Sequence, residues 1–261
     1  NKKMAETADW MSNLNEKFTK IPLSQLTFLL GSHDAMAYSL DTNSSVLEPK
    51  KIKALDKMFS TFLRLIVKKW GTAQVKEKNI SEQLDAGLRY FDLRVAGKPE
   101  QSDLFFYHGL YTTMTVKVIT LINFHVILFT LIAFNKIAFS HFKEIGYQVI
   151  LSYDNRSVDD PVLWPQIEYW WADNSDPKER RPEGLFVAGL NLTFDGNDML
   201  LYLTKSLKEK TMTAYPLLLD WVKEQRPGSD KESVNIIAGD FVGVNSFAQD
   251  IIQLNNADNG S

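Results

Sequence analysis

A chain of 261 residues with 44% hydrophobic content can bury one sizeable core, and an α/β barrel commonly takes about 250 residues as a single domain. With 29 basic against 32 acidic residues and a formal net charge of −3, no global basic field is available to hold nucleic acid or an anionic membrane, so any phosphate recognition must be local. The absence of cysteine excludes disulfides, thiolate zinc sites and cysteine nucleophiles, and allows a reducing compartment without assigning one.

The chain opens at Asn1 on a polar segment, with no early apolar block of the secretory kind. Six apolar runs of strand length follow, each bounded by polar or turn residues: LTFLLGSHD at 26–34, LRYFDLRV at 88–95, LFFYHG at 104–109, QVILSYD at 148–154, GLFVAGL at 184–190 and VNIIAGD at 234–240. Helical patterns lie between them. In NISEQLDAG, Asn79 is placed to cap, Glu82 to complete a capping box, and Gly87 to end the helix. The stretch from Thr204 to Gly228 reads as one kinked helix or two short ones, interrupted at Pro216 and stopped by Pro227 and Gly228. A last helix is expected in NSFAQDIIQLN.

The segment from Asp154 to Gly184, with Trp164, Trp170 and Trp171, reads as a long loop or lid whose tryptophans pack inward. Continuous apolar runs alternating with helices predict an α/β fold with parallel strands covered on both faces. No internal repeat or Gly/Ser linker divides the chain, so residues 1–261 are expected to form one domain. Four Asn-x-Ser/Thr tripeptides, at Asn43, Asn79, Asn155 and Asn191, are read as chance occurrences.

Five of the apolar runs finish in ionisable groups: His33 and Asp34, then Asp92 and Arg94, then His108, Asp154 and Asp240. A strand reaching solvent often ends in a polar residue, so one such aspartate says little. Five together, holding two of the four histidines, point instead to a site at the C-terminal face of a barrel, where strands distant in sequence converge. Asp92 and Arg94, two residues apart, are expected on one face. Two imidazoles, a guanidinium and carboxylates suit cleavage of a phosphodiester by an internal hydroxyl. One histidine removes the proton of the nucleophile, the other protonates the leaving oxygen, and arginine takes up charge on phosphorus. Ser32 should point away from His33 and serve the turn.

At these residues the sequence resembles the phosphatidylinositol-specific phospholipase C X-domain family, of the PLC X-domain-containing type that carries the X domain alone. The matching pieces are IPLSQLTFLLGSHDAMAYSLD, QLDAGLRYFDLRVAGKPE, LFFYHGLY, YQVILSYDN and LLLDWVKEQRPGSDKESVNIIAGDFVG. The resemblance implies a distorted or incomplete TIM-type (β/α) barrel. It implies hydrolysis of phosphatidylinositol to diacylglycerol and an inositol (cyclic) phosphate, by a cytoplasmic protein acting peripherally at membranes. No cofactor, nucleic acid or obligate protein partner is implied. By match to the family, His33 is the general base and His108 the general acid, with Asp34 and Asp92 positioning them. Asp240 is expected to position the histidines or the inositol ring, and Tyr153 and Asp154 join it as candidate substrate contacts. Arg94 stands where calcium-dependent relatives are expected to have a carboxylate metal ligand, which implies metal independence.

The interval from Met114 to Gly146 departs from the family pattern: it is short, strongly apolar, and lacks the acidic strand expected after His-Gly. Three readings stay open for it: a membrane span of minimal length over Val118–Phe134, a buried core element, or the product of alternative splicing or exon misassignment. His125 and His141 within it are read as incidental. The second functional reading follows from the same departure: a catalytically impaired phosphoinositide-binding module of the same fold.

Overall fold

The computed structural model describes residues 7–14, 16, 20–22, 29–45, 61, 64–65, 78–117, 168–171, 185–192, 207–228, 233–242 and 246–255. In chain order the strands are β1 (Leu29–Ser32), β2 (Tyr90–Phe91), β3 (Val95–Gly97), β4 (Leu104–His108), β5 (Leu110–Thr115), β6 (Glu168–Trp171), β7 (Phe186–Gly189), β8 (Arg226–Pro227), β9 (Ser233–Val234) and β10 (Ile236–Gly239). The helices are α1 (Ile80–Asp85), α2 (Leu207–Glu224) and α3 (Phe247–Leu254), with a 3-10 turn at Ala37–Ser39.

The central sheet runs β2-β1-β10-β7-β6 and every pairing in it is parallel. Within it, β1 and β10 are buried along their whole length, as continuous apolar runs require. β1 lies against β10, with Leu29 opposite Ile236 and Ser32 opposite Gly239. The first and last long strands are therefore neighbours, and both deliver their C-terminal ends to the same place. The molecule is α/β with mixed sheets, and the strands among the described residues do not close into a barrel.

One side of the sheet is covered by α2 and α3, whose Tyr215, Val222, Phe247 and Ile251 pack with Leu30 and Ile237. α3 buries Phe247, Ala248, Ile251 and Ile252, one helical face. α1 starts with the expected capping box: Asn79 accepts from the Glu82 N–H at 3.0 Å, and the Glu82 carboxylate accepts from the Asn79 N–H at 2.6 Å. Gly87 ends the helical segment at φ +97°, where a Cβ would stand 2.6 Å from Ile252 Cδ1. α2 continues through Pro216 as a single helix, because its apolar face is packed on both sides of the proline.

Two expectations are corrected. The third apolar run is not a parallel barrel strand: β4 pairs antiparallel with β3 and β5. Gly109, at φ +70°, turns the chain straight back after His108, so that His108 opposes Leu110. The stretch read as a lid contains β6, which extends the sheet beside β7. Its Glu-Tyr-Trp-Trp suits a strand, but its charged and proline-rich flanks resemble a loop. The expected strand at 148–154, Trp164, and the apolar residues 118–146 lie outside the described residues. Among the described residues, no helix is long and apolar enough to cross a membrane. Asn191 is 3% exposed, which fits the chance reading of its tripeptide.

Candidate active site

The site is assembled where β1, β2 and β10 end and the β4–β5 hairpin folds over them. His33 follows β1, and its N–H donates to the Gly239 carbonyl at 3.2 Å, continuing the pairing with β10 by one step. Asp34 then adopts φ +47°, an unusual left-handed conformation for aspartate. The turn is tied to the neighbouring strand on both sides. Asp92 N–H donates to Ser32 O and Ala35 N–H to Asp92 O, each at 2.9 Å. The antiparallel β3–β4 pairing sets Arg94 opposite Tyr107, whose N–H donates to the Arg94 carbonyl at 3.0 Å, and so carries the next residue, His108, to the site.

Six side chains meet there. His33 Nδ1 lies 2.9 Å from Asp240 Oδ1, and its Nε2 lies 3.0 Å from Arg94 Nη2 and 3.2 Å from Asp34 Oδ2. Arg94 Nε is 2.8 Å from Asp34 Oδ1 and 3.7 Å from Asp92 Oδ2. His108 Nδ1 contacts Asp34 Oδ2 directly. The two imidazole rings stand edge to face with centroids 6.2 Å apart. Asp34 thus serves both histidines and the arginine at once. None of these approaches to its oxygens has the angles of a hydrogen bond, so the carboxylate is held by charge from several sides. Burial is graded: the His33, Asp34 and Asp240 side chains are 6%, 1% and 2% exposed, while Asp92, His108 and Arg94 are 21%, 26% and 30% exposed. The first three form the floor and the other three the rim.

Protonation follows from these neighbours. Burial opposes charge on His33, but Asp34, Asp240 and Asp92 outweigh it and hold the pKa at about 9. At Nε2 the neighbours pull in opposite directions, since an arginine N–H can only donate and favours a bare nitrogen, whereas Asp34 favours a proton. Burial also works against the Asp34 carboxylate, yet His108, His33 and Arg94 bring its pKa down to about 2. Asp92 moves the other way: burial and the charge of Asp34 push it upward against the pull of His33 and Arg94. One carboxylate is fixed as an anion while its neighbour takes a proton more readily.

His33, Asp34 and Asp92 each bring one donor atom to within 4.8 Å of the others, a spacing open to a cation. Arg94 already lies against both carboxylates and supplies positive charge there. Tyr153 and Asp154 are outside the described residues.

Two tyrosines join the constellation that sequence reasoning passed over. Tyr90, two residues before Asp92, shares its environment. Burial, then Asp92, raises its phenol pKa, and the period-2 spacing of residues 90, 92 and 94 was the available signal. Tyr215, on α2, donates its hydroxyl to the main-chain carbonyl of Asp240. Nothing local in the sequence links that helix position to the site.

The arrangement can remove a proton at one imidazole and supply one at the other, with a guanidinium beside His33 to face an anion. The chain is 39% identical to PI-PLC X domain-containing protein 1 of Danio rerio, over 94% of both chains. It is 33% identical to the Homo sapiens protein of that name, over 95% of this chain and 92% of the relative. To PI-PLC X domain-containing protein 3 of Danio rerio it is 30% identical, over 95% of this chain and 93% of the relative. No family model and no solved structure matches the chain. Likeness of this extent, along nearly the whole length of both partners, places the chain in the PI-PLC X domain-containing protein family.

Proposed function

We propose that the protein is a phosphoric diester hydrolase that cleaves phosphatidylinositol to diacylglycerol and a cyclic inositol phosphate. The observation that carries this reading is the pair of imidazoles 6.2 Å apart, joined through one buried carboxylate that also holds Arg94. His33, whose pKa of about 9 requires that it first lose its proton, then takes at Nε2 the proton of the inositol hydroxyl adjacent to the phosphate. That oxygen bonds to phosphorus, the bond from phosphorus to the glycerol oxygen breaks, and His108 Nε2 gives its proton to the departing oxygen. Asp240 lies on Nδ1 of His33 and Asp34 on Nδ1 of His108, which orients the two imidazoles, while Nε2 of His33 faces Arg94 and Asp34 beside the position of the substrate phosphate. Arg94 carries the charge of the pentacoordinate phosphorus.

The scaffold we infer is a distorted (β/α) barrel. The adjacency of β1 and β10 is what closure between the first and last strands requires, and the parallel order supports it. The protein would work peripherally at the cytoplasmic face of a membrane.

Phosphorus NMR of the first turnover on phosphatidylinositol vesicles tests the chemistry. A cyclic phosphate should appear first, because the nucleophile belongs to the substrate, and acyclic product from the start would overturn the mechanism. His33→Ala and His108→Ala should each lower turnover by about 100-fold or more.

A second reading has its own observation. The alignment with the 39% identical relative runs over 297 positions, more than the 261 residues of the chain, so that relative carries residues with no counterpart here. A site missing part of its wall would bind the headgroup without turnover. Retention on phosphatidylinositol vesicles with no product would favour this impaired module.

A further inference from the structure

The hydroxyl of Tyr215 is not needed for packing. Its ring stacks on Phe247 with centroids 4.5 Å apart and planes at 14°, and a phenylalanine would do that equally well. What the hydroxyl adds is one contact with the main-chain carbonyl of Asp240, at a residue 5% exposed. That carbonyl sits one residue beyond the end of the β1–β10 ladder, which stops at Gly239. The next residue, Phe241, is held at φ +57°, a left-handed conformation that is sterically unfavourable for a residue with a Cβ. Asp240 therefore lies between the end of a ladder and a strained residue, and its carboxylate reaches His33 Nδ1 at 2.9 Å. Its main chain has to be held in place for that carboxylate to stay on target.

We infer that Tyr215 is a positioning residue for the reaction: its hydroxyl anchors the main chain of Asp240, and thereby keeps the Asp240 carboxylate on His33 and the imidazole aimed at the substrate. The inference rests on the catalytic role of His33 proposed above. It gives α2, a helix that contributes no group to the reacting atoms, a direct hold on the base. A displacement of about 1 Å at a reacting group can cost about 100-fold, so loss of a single anchoring hydroxyl is expected to lower kcat by about 10-fold while KM stays within about twofold.

The test reads the His33–Asp240 contact itself. In the wild-type protein the Nδ1 proton of His33 should give a slowly exchanging, low-field proton resonance, assigned by its loss in Asp240→Asn. Tyr215→Phe, which keeps the ring stack, should broaden that resonance or speed its exchange by about 10-fold or more, with the kcat loss above. Val222→Ala, a destabilising change in the same helix that leaves the hydroxyl in place, should leave the resonance unaltered. Replacing Tyr215 by 4-aminophenylalanine restores a donor and should restore the signal, which keeps the test decisive if the phenylalanine variant folds poorly. An unchanged resonance in Tyr215→Phe, equal broadening in Val222→Ala, or failure of the amino analogue to rescue would each overturn the inference. Absence of turnover in the wild-type protein would count against the proposed reaction alone, because the resonance is read without substrate.

Discussion

Asp34 places one carboxylate against two imidazoles and a guanidinium, so small changes at its neighbours should have large effects. Arg94 approaches Asp34 through Nε and His33 through Nη2, two directions that an ammonium cannot reproduce together. Arg94→Lys should therefore lower turnover by about 100-fold despite conserving charge. Activity of the wild-type protein should survive strong chelation, and full dependence on an added divalent cation would reverse the role given to Arg94. The shifted groups also set a stability window. His33, raised from 6.5 to about 9, contributes stability that is fully present below about pH 6.5 and is lost as pH rises through 9. Asp34, lowered from 3.8 to about 2, contributes stability present above about pH 4 and lost as pH falls through 2. Urea unfolding between pH 6 and 10 should show stability falling between about pH 6.5 and 9 and levelling off above 9, a decline that His33→Gln abolishes.

Among the elements, β1 lies close against β2, with no room for a side chain at Gly31. A Cβ on Gly31 would come within 2.6 Å of Tyr90 Cδ1, 3.0 Å of Tyr90 Cβ and 3.1 Å of Ala238 Cβ. Gly31→Ala should thus cost about 1–3 kcal/mol by overpacking. It should also reduce turnover, because Tyr90 and Asp92 lie on the same short segment and must move together. Gly97→Ala is the control: nothing lies within 4 Å of its Cβ position, and its urea midpoint and rate should change little.

For the whole molecule, a net charge of −3 offers no long-range attraction to an anionic bilayer, and the cationic groups of the site sit among carboxylates. Association with phosphatidylinositol vesicles should change by less than about threefold as ionic strength rises from ~0.05 to ~0.2 M. A steep loss over that range, read by sedimentation, would mean that a basic surface governs docking.

Much of this was legible in the chain itself because it depends on neighbours in sequence. The capping box at Asn79 and Glu82, the turn at Gly87 and the apolar runs of β1, β7 and β10 are set by local hydrogen bonding and burial. The ends of the apolar runs at 26–34, 88–95, 104–109 and 234–240 also marked His33, Asp92, Arg94, His108 and Asp240 as residues that would emerge together. Other features depend on partners that are remote in the chain. Whether the run at 104–108 pairs parallel or antiparallel was decided by which strand edge its hairpin meets, and β6 became a strand because β7 offered an edge beside it. The division of contacts among the three carboxylates, with Asp240 on one histidine and Asp34 shared by both, arises only when four separate segments close on one point. Tyr215 could be tied to the site by that packing alone: its hydroxyl meets a carbonyl 25 residues further along the chain, a distance across which no periodicity or turn pattern carries information.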